Sequence, residues 1–209
     1  MKTVADTMVL RYFLAVDQFE LLTKVIGSPV LVPTLVFDPD DHGEAETAQS
    51  ELRRGIAYQT RRATDGSLEA EVRRRAQTTV ERLGRLDQLS RDGVIVSADM
   101  TSEESRIFGL LLDRDEARKL GLAFGLHPGE AACVAMAIER RLVLATDDND
   151  ALRAYEHLAP DGHRTRIRRV LQDAAEQSLV TRDEANAIHA EIVASGFWDH
   201  EAPFPPDGG

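Results

Sequence analysis

Short apolar runs rich in β-branched residues alternate with segments of helical character along most of this chain. The strand-like runs occupy residues 2–6, 30–32, 93–98 and 141–146, and the segments between them place apolar residues at helical spacing. Such an alternation is typical of an α/β fold, in which a mainly parallel central sheet is flanked by helices. In sheets of this kind, functional groups collect where the strands end.

Length and composition bound the number of domains. A chain of 209 residues, 43% of them apolar, can build a real core and fits one domain with an elaboration or two small domains. We predict a domain over residues 1–160 that contains a helical insertion at about 44–92. A helical hairpin is predicted at 161–199, and residues 200–209 are predicted to form a flexible tail.

The insertion differs in composition from the rest of the chain. It is rich in Ala, Glu, Gln, Leu and Arg, and the turn-like TDGS divides it into predicted helices at about 44–62 and 68–91. Two interpretations stay open: the arginines form a solvated face paired with glutamates one turn away, or a basic patch that faces RNA or an acidic partner. In the second case Arg61 and Arg62 would bind the substrate. The arginines are Arg53, Arg54, Arg61, Arg62, Arg73, Arg74, Arg75, Arg82 and Arg85.

Net charge limits the functions open to the chain. With Lys+Arg 25 and Asp+Glu 36, the formal net charge is −11. Non-specific nucleic-acid binding depends on neutralising phosphates, so a protein this acidic is not a general nucleic-acid coat. A local basic patch combined with a bound metal ion would still allow it to act on RNA or DNA.

Cysteine content and hydropathy indicate a compartment. Cys133 is the only cysteine, so no intramolecular disulfide can form, and its apolar neighbours indicate a buried core residue. This usage fits a reducing cytosol. No run approaches the roughly 18 apolar residues that a membrane span needs, and the N-terminus lacks a secretory signal pattern. We therefore expect a soluble cytoplasmic protein without a membrane partner.

Acidic residues stand at the ends of the apolar runs. Asp6 follows the first strand, and Glu130 lies in the first turn of the helix before the last strand. Asp147 and Asp148 directly follow that last strand. A parallel sheet brings these points to one edge, where converging carboxylates take up protons unless a cation lies between them. Mg²⁺ or Mn²⁺ suits such hard oxygen ligands and would activate water against a phosphodiester.

Each of these acids also has a structural interpretation. Asp6 could cap the helix at residues 7–16, and Glu130 could be a first-turn acid that interacts favourably with the helix dipole. Asp147 or Asp148 could cap the helix that follows. Other constellations are weak, because the six histidines are scattered and no GxGxxG, P-loop or nucleophile-elbow motif occurs.

Three short motifs follow one another in a set order: DT at residues 6–7, GEA at 129–131 and LATDD at 144–148. In this order they resemble a PIN domain nuclease, most specifically in the block PGEAACVAMAIERRLVLATDDNDALR. The opening VADTMVLRYFLAVDQFELLTKVIGSPVLVPTLVF is similar to the family's first strand–helix–helix–strand unit. The stretch IRRVLQDAAEQSLVTRDEANAIHAEIVASGFW resembles the helical hairpin of a subfamily related to VapC-type toxins. The resemblance covers residues 1–38 and 93–198.

The resemblance implies a PIN-like fold and gives roles to individual residues. Asp6, Glu130 and Asp148 would bind the metal ion and take part in catalysis. Thr146 would join them as a catalytic residue by orienting a carboxylate or a water. Asp147 is a further candidate ligand of the metal.

The chain departs from the family's pattern after the second strand. The family commonly has a glutamate there, shortly after a proline, where this chain has VFDPDD. Asp38 is the nearest counterpart, although it is one methylene shorter and precedes Pro39. It is either a metal ligand or an acid of a tight turn, where Asp and Pro are both common.

These observations predict a Mg²⁺- or Mn²⁺-dependent endoribonuclease that hydrolyses RNA phosphodiester bonds. By resemblance it would be the toxin of a toxin–antitoxin pair and a homodimer, and a cognate antitoxin would block its acidic pocket. The alternative is a catalytically silent PIN-like module that binds RNA or a protein. The long arginine-rich helices and the changed residue at Asp38 favour that alternative.

Overall fold

A computed structural model describes residues 2–41 and 47–205. Its centre is a parallel sheet flanked by helices, as the alternation of strands and helices predicts. Within the described residues the sheet has five strands in the order β3-β2-β1-β4-β5. They are β1 (Thr3–Ala5), β2 (Val30–Pro33), β3 (Ile95–Ala98), β4 (Val143–Ala145) and β5 (Arg164–Thr165).

Helices connect the strands and form the C-terminal hairpin. In the described part of the chain, no helix is long and apolar enough to cross a membrane. The helices are α1 (Thr7–Ala15), α2 (Phe19–Ile26), α3 (Glu51–Thr64), α4 (Ala70–Leu83), α5 (Arg85–Arg91), α6 (Ser102–Leu112), α7 (Arg114–Lys119), α8 (Pro128–Glu139), α9 (Asn149–Leu158), α10 (Ile167–Glu176) and α11 (Arg182–Ala194).

The order of the strands reverses between β1 and β4. Strand β1 pairs with β2 on one side and with β4 on the other, and the chain visits β2 and β3 before it crosses back to β4. Ala5 is in register with Ala145, and the N–H of Asp6 donates to the Ala145 carbonyl over 3.1 Å. Such a reversal opens a crevice beyond the carboxyl ends of the two strands, which is where α/β proteins bind ligands.

One hydrophobic core joins the sheet to the helices around it. Phe13 of α1, Leu144 of β4, Leu171 of α10 and Ile192 of α11 are fully buried and belong to one apolar cluster. The hairpin predicted at 161–199 therefore shares its core with the residues before it.

The first arginine-rich helix begins later than predicted. Helix α3 starts at Glu51 and not near residue 44, and residues 42–46 lie outside the described part of the chain. The delay has a physical cause, because the Asp41 carboxylate accepts the backbone N–H groups of Gln49 and Ser50 over 2.8 Å each. These bonds fix the backbone of Gln49 and Ser50 directly before Glu51.

The second predicted arginine-rich helix is two helices. Residues 68–91 divide at Gly84 into α4 and α5. Glycine is the weakest helix former after proline, which makes it a natural point of division. Ala76, Leu83 and Leu86, which are spaced along one side of these helices, are buried.

Arg53 shows that the arginines of this segment do not share one role. Its guanidinium pairs with Asp87 over 2.6 Å and donates to the carbonyls of Asp38 and Pro39 over 3.1 and 2.9 Å. It also lies over the Phe37 ring at 5.0 Å. Arg53 is therefore a structural anchor between α3, α5 and the loop after β2.

Helix ends and the tail can be compared with their sequence signals. Capping boxes at Thr101 and Thr181, each with a glutamate three residues later in the sequence, begin α6 and α11, and Gly27 ends α2 with a φ of 88°. Strand β5 was not predicted, because that region was expected to be helical. The start of the predicted flexible tail is instead attached to the hairpin, since Asn186 exchanges hydrogen bonds of 2.8 and 3.0 Å with the backbone of Phe204. Residues 206–209 lie outside the described part.

A buried ion pair fastens α6 to α8. Glu104 is fully buried, and its carboxylate accepts from the Arg140 guanidinium over 2.5 and 2.9 Å and from the Thr101 N–H over 2.7 Å. Arg140 also donates to the Asp99 carbonyl over 2.9 Å. The hydrogen bonds from Arg140 hold the pKa of Glu104 below its usual value.

Candidate acidic site at the sheet edge

Asp6 leaves β1 and caps α1 at the centre of the sheet edge. It is 2% exposed, and its Oδ1 accepts the N–H of Val9 over 3.0 Å. Its Oδ2 accepts the hydroxyl proton of Thr146, which follows β4. The predicted capping role is therefore real, and it places the carboxylate of Asp6 in the crevice between β1 and β4.

Thr146 connects the acids of the two strands. Besides donating to Asp6, its Oγ1 accepts the backbone N–H of Asp148 over 3.1 Å. Asp148 in turn caps α9, because its Oδ1 accepts the N–H of Ala151 over 2.7 Å. One hydroxyl thus fixes the orientation of the Asp6 carboxylate relative to the start of α9.

Glu130 approaches the same crevice from α8. It is half-buried, and its Oε2 accepts the backbone N–H of His127 over 3.1 Å, which closes the first turn of the helix. Pro128 at the start of this helix suits the position, since its missing N–H would have had no partner there.

Glu51 is a fourth acid at this edge, and the sequence interpretation missed it. Its carboxylate accepts the N–H of Gly129 over 3.1 Å and the hydroxyl proton of Thr7. The missed signal was Ser50 followed by Glu51, a typical helix start, which was hidden by the prediction of a helix from residue 44.

Three of these acids, but not Asp148, line one open cavity of about 230 Å³. Asp6, Glu51 and Glu130 line it, and each comes from the start of a different helix. Arg11 and His127 stand at its exposed margin. The other lining residues are Thr7, Met8 and Tyr12.

Burial and mutual repulsion favour the protonated forms of two of these acids. Burial is the largest cause that raises the pKa of Asp6 to about 7, and the carboxylates of Asp147 and Asp148 add to it. Burial likewise raises the pKa of Glu130 to about 7, with contributions from Asp148, Asp6 and Glu51. The hydrogen bonds from Thr146, Val9 and His127 act in the opposite direction.

Asp147, a predicted metal ligand, is used differently from Asp148. Its Oδ2 accepts the N–H of Ile167 over 2.9 Å, so it ties the end of β4 to the start of α10. Its Oδ1 is buried and has no hydrogen-bond partner among the described residues. Burial raises the pKa of Asp147 to about 6.

Asp38, the other uncertain ligand, adopts the turn geometry. Its Oδ1 accepts the N–H of Asp40 over 2.9 Å, and it is not among the described residues that line the acidic cavity. Glu51 is the additional acid in that cavity. The sequence thus predicted that Asp38, from the loop after β2, would join the other acids, whereas in the structure Glu51 of α3 does so.

Arg61 and Arg62 lie away from the acidic cavity. They are near the C-terminal end of α3, about 15 Å along the helix axis from Glu51 at a rise of 1.5 Å per residue. Arg62 lies over the Tyr58 ring at 5.7 Å. They therefore do not contact the acids directly.

The donor set fits a hard divalent cation. Asp6, Glu51, Glu130 and Asp148 offer carboxylate oxygens, and no basic side chain is among the main causes that set the pKa of Asp6 or Glu130. In residues 2–41 and 47–205, however, no group of three or more acidic, histidine or cysteine side chains already has the geometry to hold an ion. Binding would therefore require side chains such as Glu130 to rotate toward Asp6.

Proton uptake by this site predicts how stability depends on pH. Folding raises the pKa of Asp6 from 3.8 to about 7, so its contribution to stability is complete below the lower value and is lost as the pH rises through the higher one. Burial lowers the pKa of His189, so the contribution of this residue to stability is lost as the pH falls, and both proteins in the comparison share that loss. In EDTA, the melting temperature of Asp6→Asn minus that of the native chain should therefore increase between about pH 5 and pH 8. A difference independent of pH would contradict the raised pKa.

Gly129→Ala is predicted to displace Glu51 from the cavity. A Cβ at Gly129 would lie 2.6 Å from the carboxyl atoms of Glu51. The Glu51 side chain would have to rotate out of the cavity to relieve this overlap. We expect this variant to lose as much RNA cleavage as Glu51→Gln, with little change in melting temperature. Gly109→Ala is the control, because a Cβ at Gly109 meets nothing within 4 Å. Full activity in Gly129→Ala would show that Glu51 is not needed.

Known proteins offer no direct comparison for this site. A scan of protein-family models, a search of curated proteins and a search of solved structures each gave no match to this chain. Inference about function therefore starts from the acidic cavity at the reversal of strand order and from the motifs of the sequence.

Proposed function

We propose that this chain is a metal-dependent endoribonuclease with a PIN-like fold. The observation that supports the proposal is the meeting of Asp6, Glu51 and Glu130 in one cavity at the carboxyl end of β1, beside Asp148 at the end of β4. Carboxylates that have raised pKa values and form no ion pair with any described residue favour a divalent cation as their counter-charge.

Asp6, Glu130 and Asp148 would hold the ion, and Glu51 would complete the set. A bound Mg²⁺ or Mn²⁺ supplies a water nucleophile at neutral pH and neutralises charge on a phosphodiester. The side chains around the acids orient them: Thr146 holds Asp6, and the Gly129 N–H holds Glu51. Arg11 at the margin of the cavity would contact a phosphate oxygen of the substrate.

The proposed setting is that of a toxin in a toxin–antitoxin pair, acting in the cytoplasm on RNA. A cognate antitoxin would inhibit by placing a basic side chain, such as an arginine, among the acids of the cavity. The chain would act as a homodimer. These parts of the proposal rest on the resemblance of the motifs DT, GEA and LATDD to PIN domain nucleases.

A cleavage assay tests the enzymatic proposal. Purified protein is incubated with end-labelled RNA in Mn²⁺, in Mg²⁺ or in EDTA, and the products are separated on a denaturing gel. We expect internal cleavage with either metal and none in EDTA. RNA that stays intact under all three conditions would exclude a ribonuclease, provided that the RNA set includes transfer, messenger and ribosomal species.

A second candidate is a catalytically silent PIN-like module that binds RNA or a protein. It is favoured by the structural role that the acids already have, because the carboxylates of Asp6, Glu130 and Asp148 each accept a backbone N–H group at a helix start. The absence of a preformed metal geometry in residues 2–41 and 47–205 points the same way. Titration calorimetry with Mn²⁺ separates the candidates, because a silent module would release no binding heat and still bind its partner in EDTA.

A further inference from the structure

A second cavity, which we call the arginine groove, lies beside the acidic one. It has a volume of about 620 Å³ and is bounded by α1, α3, α4 and the end of α11. Among its described lining residues none is acidic. Its basic residues are Arg11, Arg62, Arg74, Arg75 and Arg82. In a chain with a net charge of −11, this is a pronounced local concentration of positive charge.

The arginine groove is continuous with the acidic cavity. Arg11 and Tyr12 line both of them. Asp6 caps α1 in the acidic cavity, and Ala15 at the other end of α1 lines the groove. In the same way α3 carries Glu51 in the acidic cavity and Arg62 in the groove. Two helices thus carry acids at one end and border the basic groove further along.

Much of the positive charge in the groove is not neutralised by the residues that the structure describes. Arg74 and Arg75 share the single carboxylate of Glu71. Arg62 and Arg82 form no ion pair among the described residues, and Arg62 instead stacks on the Tyr58 ring, which is 57% exposed. Tyr58 is not itself a lining residue of the groove, but its ring borders the groove through Arg62. Unpaired guanidinium groups with an exposed aromatic ring at their border are a combination with which proteins hold single-stranded nucleic acid.

We infer that the arginine groove binds the sugar–phosphate backbone of a single-stranded RNA and directs it into the acidic cavity. The inference rests on the proposed ribonuclease activity and names the form of its substrate. Phosphates would contact Arg62, Arg82 and Arg11 in turn, and a base would stack near Tyr58. An acidic protein segment would match the charge equally well, but it has no use for the aromatic ring or for the passage to Asp6.

Binding in EDTA tests this inference separately from cleavage. Fluorescence anisotropy measures the affinity of a labelled single-stranded RNA for the native chain and for Arg62→Ala/Arg82→Ala. Losing two phosphate contacts should raise Kd about tenfold and reduce the slope of log K against log salt by about 1.4, at about 0.7 per contact. The matched control is Arg106→Ala/Arg118→Ala, which removes the same charge from two exposed arginines outside the groove and should leave Kd unchanged.

Three results would overturn the inference. The first is a control variant that weakens binding as strongly as the groove variant does, because equal losses would mean diffuse attraction. The second is duplex RNA of the same sequence that binds as tightly as the single strand. The third is displacement of the labelled RNA by poly-glutamate as effectively as by unlabelled RNA, since this result would assign the groove to an acidic protein. Because EDTA stops hydrolysis, tight and groove-dependent binding would stand even if the cleavage assay failed.

Discussion

Asp6→Asn is expected to lower metal-dependent RNA cleavage about 10³-fold, a loss typical of removing a group that stabilises charge in the transition state. The reason is local, because the substitution exchanges one carboxylate oxygen for an amide nitrogen at the centre of the acidic cavity. The measurement is kcat/KM on end-labelled RNA in Mn²⁺. The same variant should also bind Mn²⁺ more weakly in titration calorimetry.

The fold should survive this substitution. Asparagine caps helices as well as aspartate does, so the hydrogen bond from the Val9 N–H can be kept. The variant loses one acceptor for the Thr146 hydroxyl, which destabilises the fold. It also no longer buries a carboxylate that can be charged, which stabilises the fold. We therefore expect a melting temperature within a few degrees of the native value at neutral pH.

The matched control is Asp113→Asn, the same change at the start of α7. Asp113 accepts the N–H groups of Asp115 and Glu116 over 2.9 and 3.0 Å, so it caps a helix as Asp6 does, but it is exposed and lies outside the acidic cavity. Cleavage should be unchanged in this control. Native-like cleavage by Asp6→Asn would place the reaction elsewhere in the molecule.

Glu104→Ala is expected to reduce the free energy of unfolding by about 3 kcal/mol, the lower end for breaking a buried ion pair. The change leaves the Arg140 guanidinium, whose side chain is 29% exposed, without its carboxylate. It also removes the acceptor for the Thr101 N–H at the start of α6. Urea denaturation at neutral pH measures the loss, since the lowered pKa of Glu104 keeps it ionised there.

Glu103→Ala provides the comparison from the neighbouring residue. Glu103 also pairs with an arginine, Arg106, over 2.8 Å, but both side chains are more than half exposed. Exposed pairs contribute about 1 kcal/mol at most. Equal losses in the two variants would mean that burial of the Glu104 pair adds nothing.

The acids that could be predicted are those whose place depends on local sequence. Asp6 directly follows β1, Asp148 comes three residues after the end of β4, and Glu130 follows a proline at a helix start. The pattern of elements alone therefore brings these acids to one sheet edge. Their hydrogen bonds to Val9, Ala151 and His127 are also local.

The residues that could not be predicted depend on contacts between distant segments. Glu51 reaches the cavity because Asp41 accepts the N–H groups of Gln49 and Ser50 just before α3, and because Gly129 leaves room for its carboxylate. Strand β5 has only two residues, Arg164 and Thr165, and neither shows an apolar pattern. It exists because β4 offers a free edge for pairing.

The contact of Tyr12 with the C-terminal hairpin has a consequence for how this site could change during evolution. The Tyr12 hydroxyl donates to the Gly196 carbonyl over 2.9 Å, and the ring packs against Phe197 with 5.1 Å between centroids. Tyr12 borders both cavities, so substitutions at the end of α11 can reshape the passage between them without altering an acid. In a ribonuclease of the proposed kind, selectivity for the substrate and the chemistry of cleavage could thus diversify independently.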